Sequence, residues 1–249
     1  MPFFICMTKT FRPINRPSSA PDFDPKTQPV IALEPADKLS THVLELDFIR
    51  RAFTQPVDWQ VDPLFTDAFA SQGPVPPGFR QAAVLMPLVQ RDTGVNVIFT
   101  RRAAHLSDHA GQVSFPGGCI EISDQDAIVA ALRETEEEIG VGLQFIELMG
   151  TQPSLMTTTR FQMQPVVGAL RPGFELRADP NEVAEIFEVP LSVLMDPGQH
   201  SLHRTAALDN ADRHYFSMTW QSHFIWGATA ALVRNFYRFL VAAQQADQR

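Results

Sequence analysis

The chain is poor in cysteine and in basic charge, and it has no long apolar run. Only Cys6 and Cys119 occur among its 249 residues, too few for a disulfide framework, so a reduced, cytoplasmic setting is the expected one. Twenty Lys and Arg face 28 Asp and Glu, a formal net charge of −8. That balance argues against nucleic acid as a partner, because gripping a phosphate backbone needs a basic surface. A small polyphosphate remains open to an acidic protein if a metal ion supplies the positive charge locally. No stretch approaches a membrane span; the best, Ala228–Ala243, is broken by Arg234 and Arg238 and reads as an amphipathic helix. The patch Phe3-Phe4-Ile5-Cys6 is too short for a signal-peptide core, and its basic residues follow rather than precede it. Tyr (2) and Trp (3) are scarce beside 19 Phe, and 45% of the chain is apolar. That is material for one large core.

Seven prolines within residues 1–38, without sustained periodicity, point to a loose arm, leaving 39–249 as the domain. Val43, Leu46, Ile49 and Phe53 share a face of a helix expected over 40–53. After the punctuated loop Gln72–Gly78 the period changes. Ala82–Val89 is a continuous apolar run, Asp92-Thr-Gly94 a turn and Val95–Thr100 a second strand, with another ending near Val113–Phe115. Asp126–Ile139 has helical composition and Gly140 is its natural stop. Further strands are expected over 144–152, 162–170, 214–220 and 223–226, and a closing helix over 228–245. Strands on both sides of a helix, then more strands and a final helix, suggest a sheet between helical layers.

The chemistry concentrates around Gly117-Gly118 and the run Arg133-Glu-Thr-Glu-Glu-Glu138. On a helix Glu134, Glu137 and Glu138 stand at i, i+3 and i+4 and share a face, whereas Glu136 points away. Crowded carboxylates repel, and a hard cation such as Mg²⁺ would turn that repulsion into binding. A solvated acidic face is the plainer reading of the glutamates alone. Two glycines one short loop earlier let backbone and phosphate approach closely, and Arg133 has the reach to pair with Asp124 and tie the loop to the helix.

This stretch resembles the Nudix signature: Gly, five residues, Glu, seven residues, then Arg-Glu-aliphatic-any-Glu-Glu-any-Gly-aliphatic. Gly118, Arg133, Glu134, Glu137, Glu138, Gly140 and Val141 match. Asp124 stands for the first Glu, one extra residue precedes Arg133, and Thr135 replaces the aliphatic position. Upstream, Phe99-Thr-Arg-Arg102, Leu106, His109, Gly111, Val113 and Phe115-Pro-Gly-Gly118 resemble the added signature of the coenzyme A pyrophosphatases of bacterial type, which also tend to carry the longer spacing and the Asp. The likeness runs from about Ala82 to Leu240, through Pro165-Val-Val-Gly168, Glu182-Val183, Val189-Pro-Leu191 and Trp226-Gly-Ala-Thr-Ala230. Ser107 departs from it, standing where that subfamily has Arg.

The resemblance implies an α+β fold, an α/β/α sandwich with a mixed sheet. It implies hydrolysis of coenzyme A, or a derivative, to 3′,5′-ADP and 4′-phosphopantetheine. Mg²⁺ or Mn²⁺ would be held by Glu134, Glu137, Glu138 and the Gly117 carbonyl. Arg133 and Glu182 would join the catalytic set, the general base being one of the cluster carboxylates or Glu182. Arg101, Arg102, His109, Gly117 and Gly118 are the substrate-binding candidates, with ordinary solvation of the arginines as the alternative. Another nucleoside diphosphate derivative, such as NADH or a nucleotide sugar, is the rival substrate, and a non-catalytic ligand-binding domain the rival class. The partner is thus a small molecule, with neither nucleic acid nor membrane, and self-association stays open. His105 and His109 lack a third ligand for a metal pair, and Cys119 lacks a base partner in the sequence.

Overall fold

The computed structural model describes residues 23–33, 36–65, 68, 75, 77–106, 108–206 and 212–248. The continuous apolar run becomes the long central strand β2 (Arg80–Arg91), exposed at its two ends and buried at every position between. A strand buried on both faces reads in this way, because helices cover each side. Its odd residues Ala83 and Leu85, with Val166, pack under Ala130 and Ala131 of α2 (Ala127–Ile139). Its even residues Val84, Met86 and Leu88 join the larger core with α1 (Leu46–Thr54) and α4 (Gly227–Asp247). The result is an α/β/α sandwich.

The sheet is mixed. β2 pairs antiparallel with β3 (Gly94–Arg102) and parallel with β8 (Phe161–Leu170) along ten residues. β6 (Ile146–Thr151) and the short β7 (Leu155–Met156) pair with β8, and β9 (Val183–Pro190) pairs with β3. β2 and β3 hold together only over Leu88–Arg91 and Gly94–Val97. Beyond that they part, and the chain between enters the gap as two small strands. β4 (Val113–Ser114) lies on β3, and β5 (Gly117–Cys119) lies on β2. The Leu85 N–H donates to the Pro116 carbonyl at 2.9 Å, which fixes the turn between them.

Four strands form a second antiparallel sheet in the order β1 (Val30–Ile31), β10 (Ser201–Ala206), β11 (Asp212–Trp220), β12 (His223–Trp226). Leu202, Phe216 and Ile225 from it join Leu232 and Phe236 of α4 in the main core. A short helix, α3 (Leu191–Leu194), follows β9.

Several expectations need correction. The first helix begins at Leu46, after a 3₁₀ turn over Thr41–Leu44, rather than at 40. The expected loose arm is docked wherever it is described. β1 pairs with β10, the Tyr215 hydroxyl donates to the Pro25 carbonyl at 2.6 Å, and the Tyr237 hydroxyl donates to that of Asp37 at 2.5 Å. The prolines interrupt local ladders but leave carbonyls free to accept from the body. Residues 1–22, with Cys6, lie outside the described residues, as does Ser107. Among the described residues no helix is long and apolar enough to cross a membrane.

Candidate active site

α2 begins where the Asp126 carboxylate accepts from the Val129 N–H at 2.9 Å, and it ends at Gly140, whose φ is 76°. Between these caps the helix buries Ala130, Ala131, Thr135, Glu138 and Ile139. Thr135, standing at the aliphatic position, is fully buried and donates its hydroxyl to the Ala131 carbonyl at 2.6 Å, so the departure leaves no unpaired polar group.

Arg133 is the joint between loop and helix. Nε and Nη2 donate to the two oxygens of Asp124 at 3.0 and 2.9 Å, and Nη2 also reaches the Cys119 carbonyl at 3.2 Å. Nη1 donates to Glu134 and to Glu137, each at 3.0 Å. All five N–H groups of the guanidinium are thereby engaged. The pairing with Asp124 holds that carboxyl below its usual range.

The two glycines are where the backbone comes closest. Gly117 has φ 151°, and a Cβ there would lie 2.3 Å from the Ala83 carbonyl oxygen and 2.6 Å from the Val84 Cα. A Cβ on Gly118 would lie 2.4 Å from the Glu134 carboxyl carbon. The Gly117 N–H donates to Glu138 Oε2 at 3.2 Å, and Arg102 Nη1 stands 3.7 Å from Glu138 Oε1.

The three helical carboxylates are therefore unequal. Glu137 is exposed. Glu134 is half-buried, and burial raises its carboxyl while Arg133 opposes the rise. Glu138, only 3% exposed, is pushed up to about 8 by burial. The Gly117 N–H and Arg102 pull it down, and the charges of Glu182 and Glu134 push it further up. Glu182 sits at the head of β9, with its carbonyl accepting from the Ala103 N–H at 2.8 Å, and its charge bears on both Glu134 and Glu138. Among the described residues no three His, Cys, Asp or Glu side chains converge as a finished metal-ligand set. Glu138, Glu134 and the neighbouring Glu182 nonetheless offer oxygen donors, and a buried carboxylate among like charges is the donor chemistry a hard divalent cation satisfies.

The remaining candidates separate. Arg101 Nε donates to Glu185 Oε2 at 2.9 Å, so its charge is compensated. Arg102 has a buried Nε without a hydrogen-bond partner and is the freer of the two. His109, with φ 58°, is exposed in the turn between β3 and β4, where Nδ1 meets Gln112 Oε1 at 3.0 Å. His105 Nε2 donates to the Asn181 carbonyl at 3.0 Å, so the two histidines engage different partners. Cys119 Sγ accepts from Arg80 Nη2 at 2.7 Å, and burial pushes its thiol up.

Sequence reasoning missed the neighbourhood of β9. Glu185 also meets His223 Nε2 at 3.2 Å, and the His223 ring stacks on Phe187 with centroids 3.7 Å apart. Val183, Ile186, Phe187 and Val189, bounded by Pro180 and Pro190, were the available signal for a strand.

Residues 79–209 match the NUDIX domain family model. The chain belongs to the Nudix family and is a hydrolase of that class. It is 41% identical over 157 residues to a Citrobacter koseri protein named "Uncharacterized Nudix hydrolase NudL", a match covering 63% of this chain and 80% of that one. The Escherichia coli K12 protein of the same name is 40% identical with the same coverage. Solved structures resemble it in fold alone. A MutT/nudix family protein from Enterococcus faecalis has a TM-score of 0.44 at 16% identity, covering 79% of this chain and 75% of that one. A C. elegans Ap4A hydrolase has a TM-score of 0.39 at 17% identity, covering 44% and 80%.

Proposed function

We propose that this protein is a coenzyme A pyrophosphatase, taking water and coenzyme A to 3′,5′-ADP and 4′-phosphopantetheine. The observation that carries the hydrolytic site is the buried Glu138 carboxylate between the Gly117 N–H and Arg102, with Glu134 and Glu182 close enough to perturb it. The choice of coenzyme A rests on Leu106, His109, Gly111, Val113 and Phe115–Gly118, which resemble the signature of that subfamily.

Glu134, Glu137 and Glu138, helped by the Gly117 carbonyl, would hold Mg²⁺ or Mn²⁺. A divalent cation there neutralises diphosphate charge and makes water more acidic. The chain's own residues do the rest. Arg102, partly exposed beside Glu138, takes a phosphate oxygen of the substrate through the end of its guanidinium. Arg101, already on Glu185, assists at longer range. Gly117 and Gly118 let the diphosphate lie against bare backbone. Arg133 holds Asp124, Glu134 and Glu137 in register. Glu182, exposed and unbonded to the guanidinium, is the carboxylate best placed to accept the proton of water.

Product analysis with Mg²⁺ or Mn²⁺ tests this reading against coenzyme A, acyl-CoA, dephospho-CoA, NADH, ADP-ribose and nucleotide sugars. Brisk release of 3′,5′-ADP from coenzyme A is expected. Cleavage of NADH or a nucleotide sugar alone would overturn the substrate assignment and leave the diphosphate chemistry standing. The ratio of kcat/KM for coenzyme A and dephospho-CoA reads recognition of the 3′-phosphate. Ser107→Arg should raise that ratio if the subfamily arginine is the usual grip.

A further inference from the structure

A brace of three side chains stands across the sheet from the acidic helix. Arg101 Nε donates to Glu185 Oε2 at 2.9 Å, and His223 Nε2, reaching over from the second sheet, donates to Glu185 Oε1 at 3.2 Å. The bond from Arg101, and behind it that from His223, hold the Glu185 carboxyl below its usual range against burial. The His223 side chain is 10% exposed and its Nδ1 is buried without a partner, which leaves Glu185 as the hydrogen-bonding contact of the ring. Packing sets where that ring lies. It stacks on Phe187 with centroids 3.7 Å apart, Phe187 stacks on Phe99 at 5.7 Å, and Phe99 stacks on Phe115 at 4.8 Å.

The segment this brace grips has lost part of its sheet. β3 leaves β2 after Val97, so its outer half, Ile98–Arg102, is flanked by β9 and, at its end, by the short β4. The ladder to β9 is itself interrupted there. Arg101 pairs with Glu185 but Arg102 with Val183, which leaves Ala184 as a bulge. A bulge removes ladder bonds and bends its strand. Just beyond it come Arg102, 3.7 Å from Glu138, and Glu182, whose carbonyl accepts from the Ala103 N–H at 2.8 Å. His223 ties this frame to the second sheet through Glu185. Thr229 of α4 ties it again, donating its hydroxyl to the Val113 carbonyl of β4 at 3.0 Å.

We infer that His223 is a positioning residue for hydrolysis: by holding Glu185 it fixes the outer half of β3 and the head of β9, and so sets how far Arg102 and Glu182 stand from the carboxylates of α2. The inference rests on the reading of Arg102 and Glu182 as groups of the hydrolytic site. Arg101 cannot anchor the frame by itself, since it and Glu185 stand on paired strands and move together. His223 comes from β12, in the other sheet, and gives Glu185 a point outside that pair. Ile186 packs against Ile98 and Ile139 on the α2 face, and Glu185, next to it in the strand, faces the other way. His223 thus lies across the sheet from the α2 carboxylates and acts on the site through the frame. A shift of ~1 Å in a reacting group is able to cost about a hundredfold in rate.

Two substitutions in the full chain separate the donor from the ring. His223→Phe keeps a ring on Phe187 and removes the bond to Glu185, whereas His223→Gln gives up the stack and offers an N–H where Nε2 stood. Kinetics with Mg²⁺ are read on whichever of coenzyme A, NADH and ADP-ribose the wild type cleaves. Binding of Mn²⁺ to the substrate-free protein is read by electron paramagnetic resonance of the free ion. His223→Phe should lower kcat/KM roughly tenfold, while its Tm and its Mn²⁺ affinity stay those of wild type, because the α2 carboxylates have not moved. His223→Gln should recover most of the lost kcat/KM. The inference is overturned if His223→Phe keeps wild-type kcat/KM, if His223→Gln loses as much, or if Mn²⁺ affinity falls along with turnover. Glu182→Gln and Arg102→Lys serve as controls for the reading beneath it. Wild-type kinetics in both would remove these groups from the site, and this inference with them; losses in both beside an unaffected His223→Phe would remove the brace alone.

Discussion

Adding one methyl group to either glycine of β5 should damage the protein in two different ways. In Gly117→Ala the new Cβ meets backbone, the Ala83 carbonyl oxygen at 2.3 Å and the Val84 Cα at 2.6 Å, and φ is 151°. Neither atom can move without distorting the central strand. Overpacking of this kind costs ~1–3 kcal/mol, and a backbone region foreign to alanine costs a further ~1–3 kcal/mol. A loss of about 4 kcal/mol lowers Tm by roughly 8–16 °C in a chain of this size. In Gly118→Ala the Cβ meets the movable end of Glu134, its carboxyl carbon at 2.4 Å and both oxygens at 2.5 Å. Glu134 can swing aside at the cost of a poor rotamer and its bond to Arg133, about 1 kcal/mol. The displaced carboxylate should instead lower kcat/KM about 10- to 100-fold, as losses of supporting contacts at metal sites do. Thermal melts followed by circular dichroism, with hydrolysis of whichever diphosphate the wild type cleaves, read the two effects. Equal Tm losses, or full activity in Gly118→Ala, would refute this account of why two glycines stand together.

Glu138→Gln should fold and melt like wild type near pH 7 without added metal, because burial already favours the neutral carboxyl of Glu138 there. Its hydrolysis at limiting Mg²⁺ should nearly vanish; wild-type turnover would remove Glu138 from the site. His200 should make the protein acid-sensitive. Its Nε2 donates to the Leu194 carbonyl at 2.7 Å, its Nδ1 accepts from Arg234, and burial drops the imidazole from 6.5 to about 4. The folded state thus resists a proton that the unfolded state accepts. The stabilisation is complete above pH 6.5, declines as pH falls, and is gone below about 4, a total of about 3 kcal/mol at ~1.36 kcal/mol per pH unit. His200→Gln, which can make both bonds without titrating, should show a shallower fall in urea stability between pH 6.5 and 4; equal slopes would count against the imidazole. Starting the chain at residue 39 removes β1 and the acceptors of Tyr215 and Tyr237. That should lower Tm by roughly 10 °C, at ~1 kcal/mol per hydrogen bond lost; an unchanged melt would show that the docking contributes nothing.

What could be read from sequence was whatever rests on short-range periodicity. Ala82–Val89 announced a doubly covered strand, and Glu134, Glu137 and Glu138 announced a shared helical face. β9 escaped because Glu182, Glu185 and Glu188 recur every three residues, a helix-like spacing. In the fold, Glu185 serves Arg101, Glu188 serves Arg91, and the apolar residues between them carry the strand. Of the second sheet, β11 and β12 were legible, whereas β1 and β10 escaped because β1 finds its partner only across the chain, Val30 opposite His203. At the site, spacing indicated which carboxylates could meet. It could not indicate that Arg133 would engage two of them, or that Glu138 alone would be buried. Those outcomes depend on the gap between β2 and β3, a long-range feature with no local signature.

The parallel pairing of β2 with β8 also sets an order of assembly. It joins Arg80 to Phe161, 81 positions apart, so this pairing must wait for a long loop to close, whereas β2 meets β3 across a tight turn. Everything from Arg101 to Glu138 travels inside that loop, whereas Glu182 arrives with β9 only when the chain returns to β3. A refolding molecule therefore holds its helix and glycine turn early and its completed acidic pocket last. Recovery of hydrolysis should trail recovery of helix signal, which makes turnover a late clock for the folding of this chain.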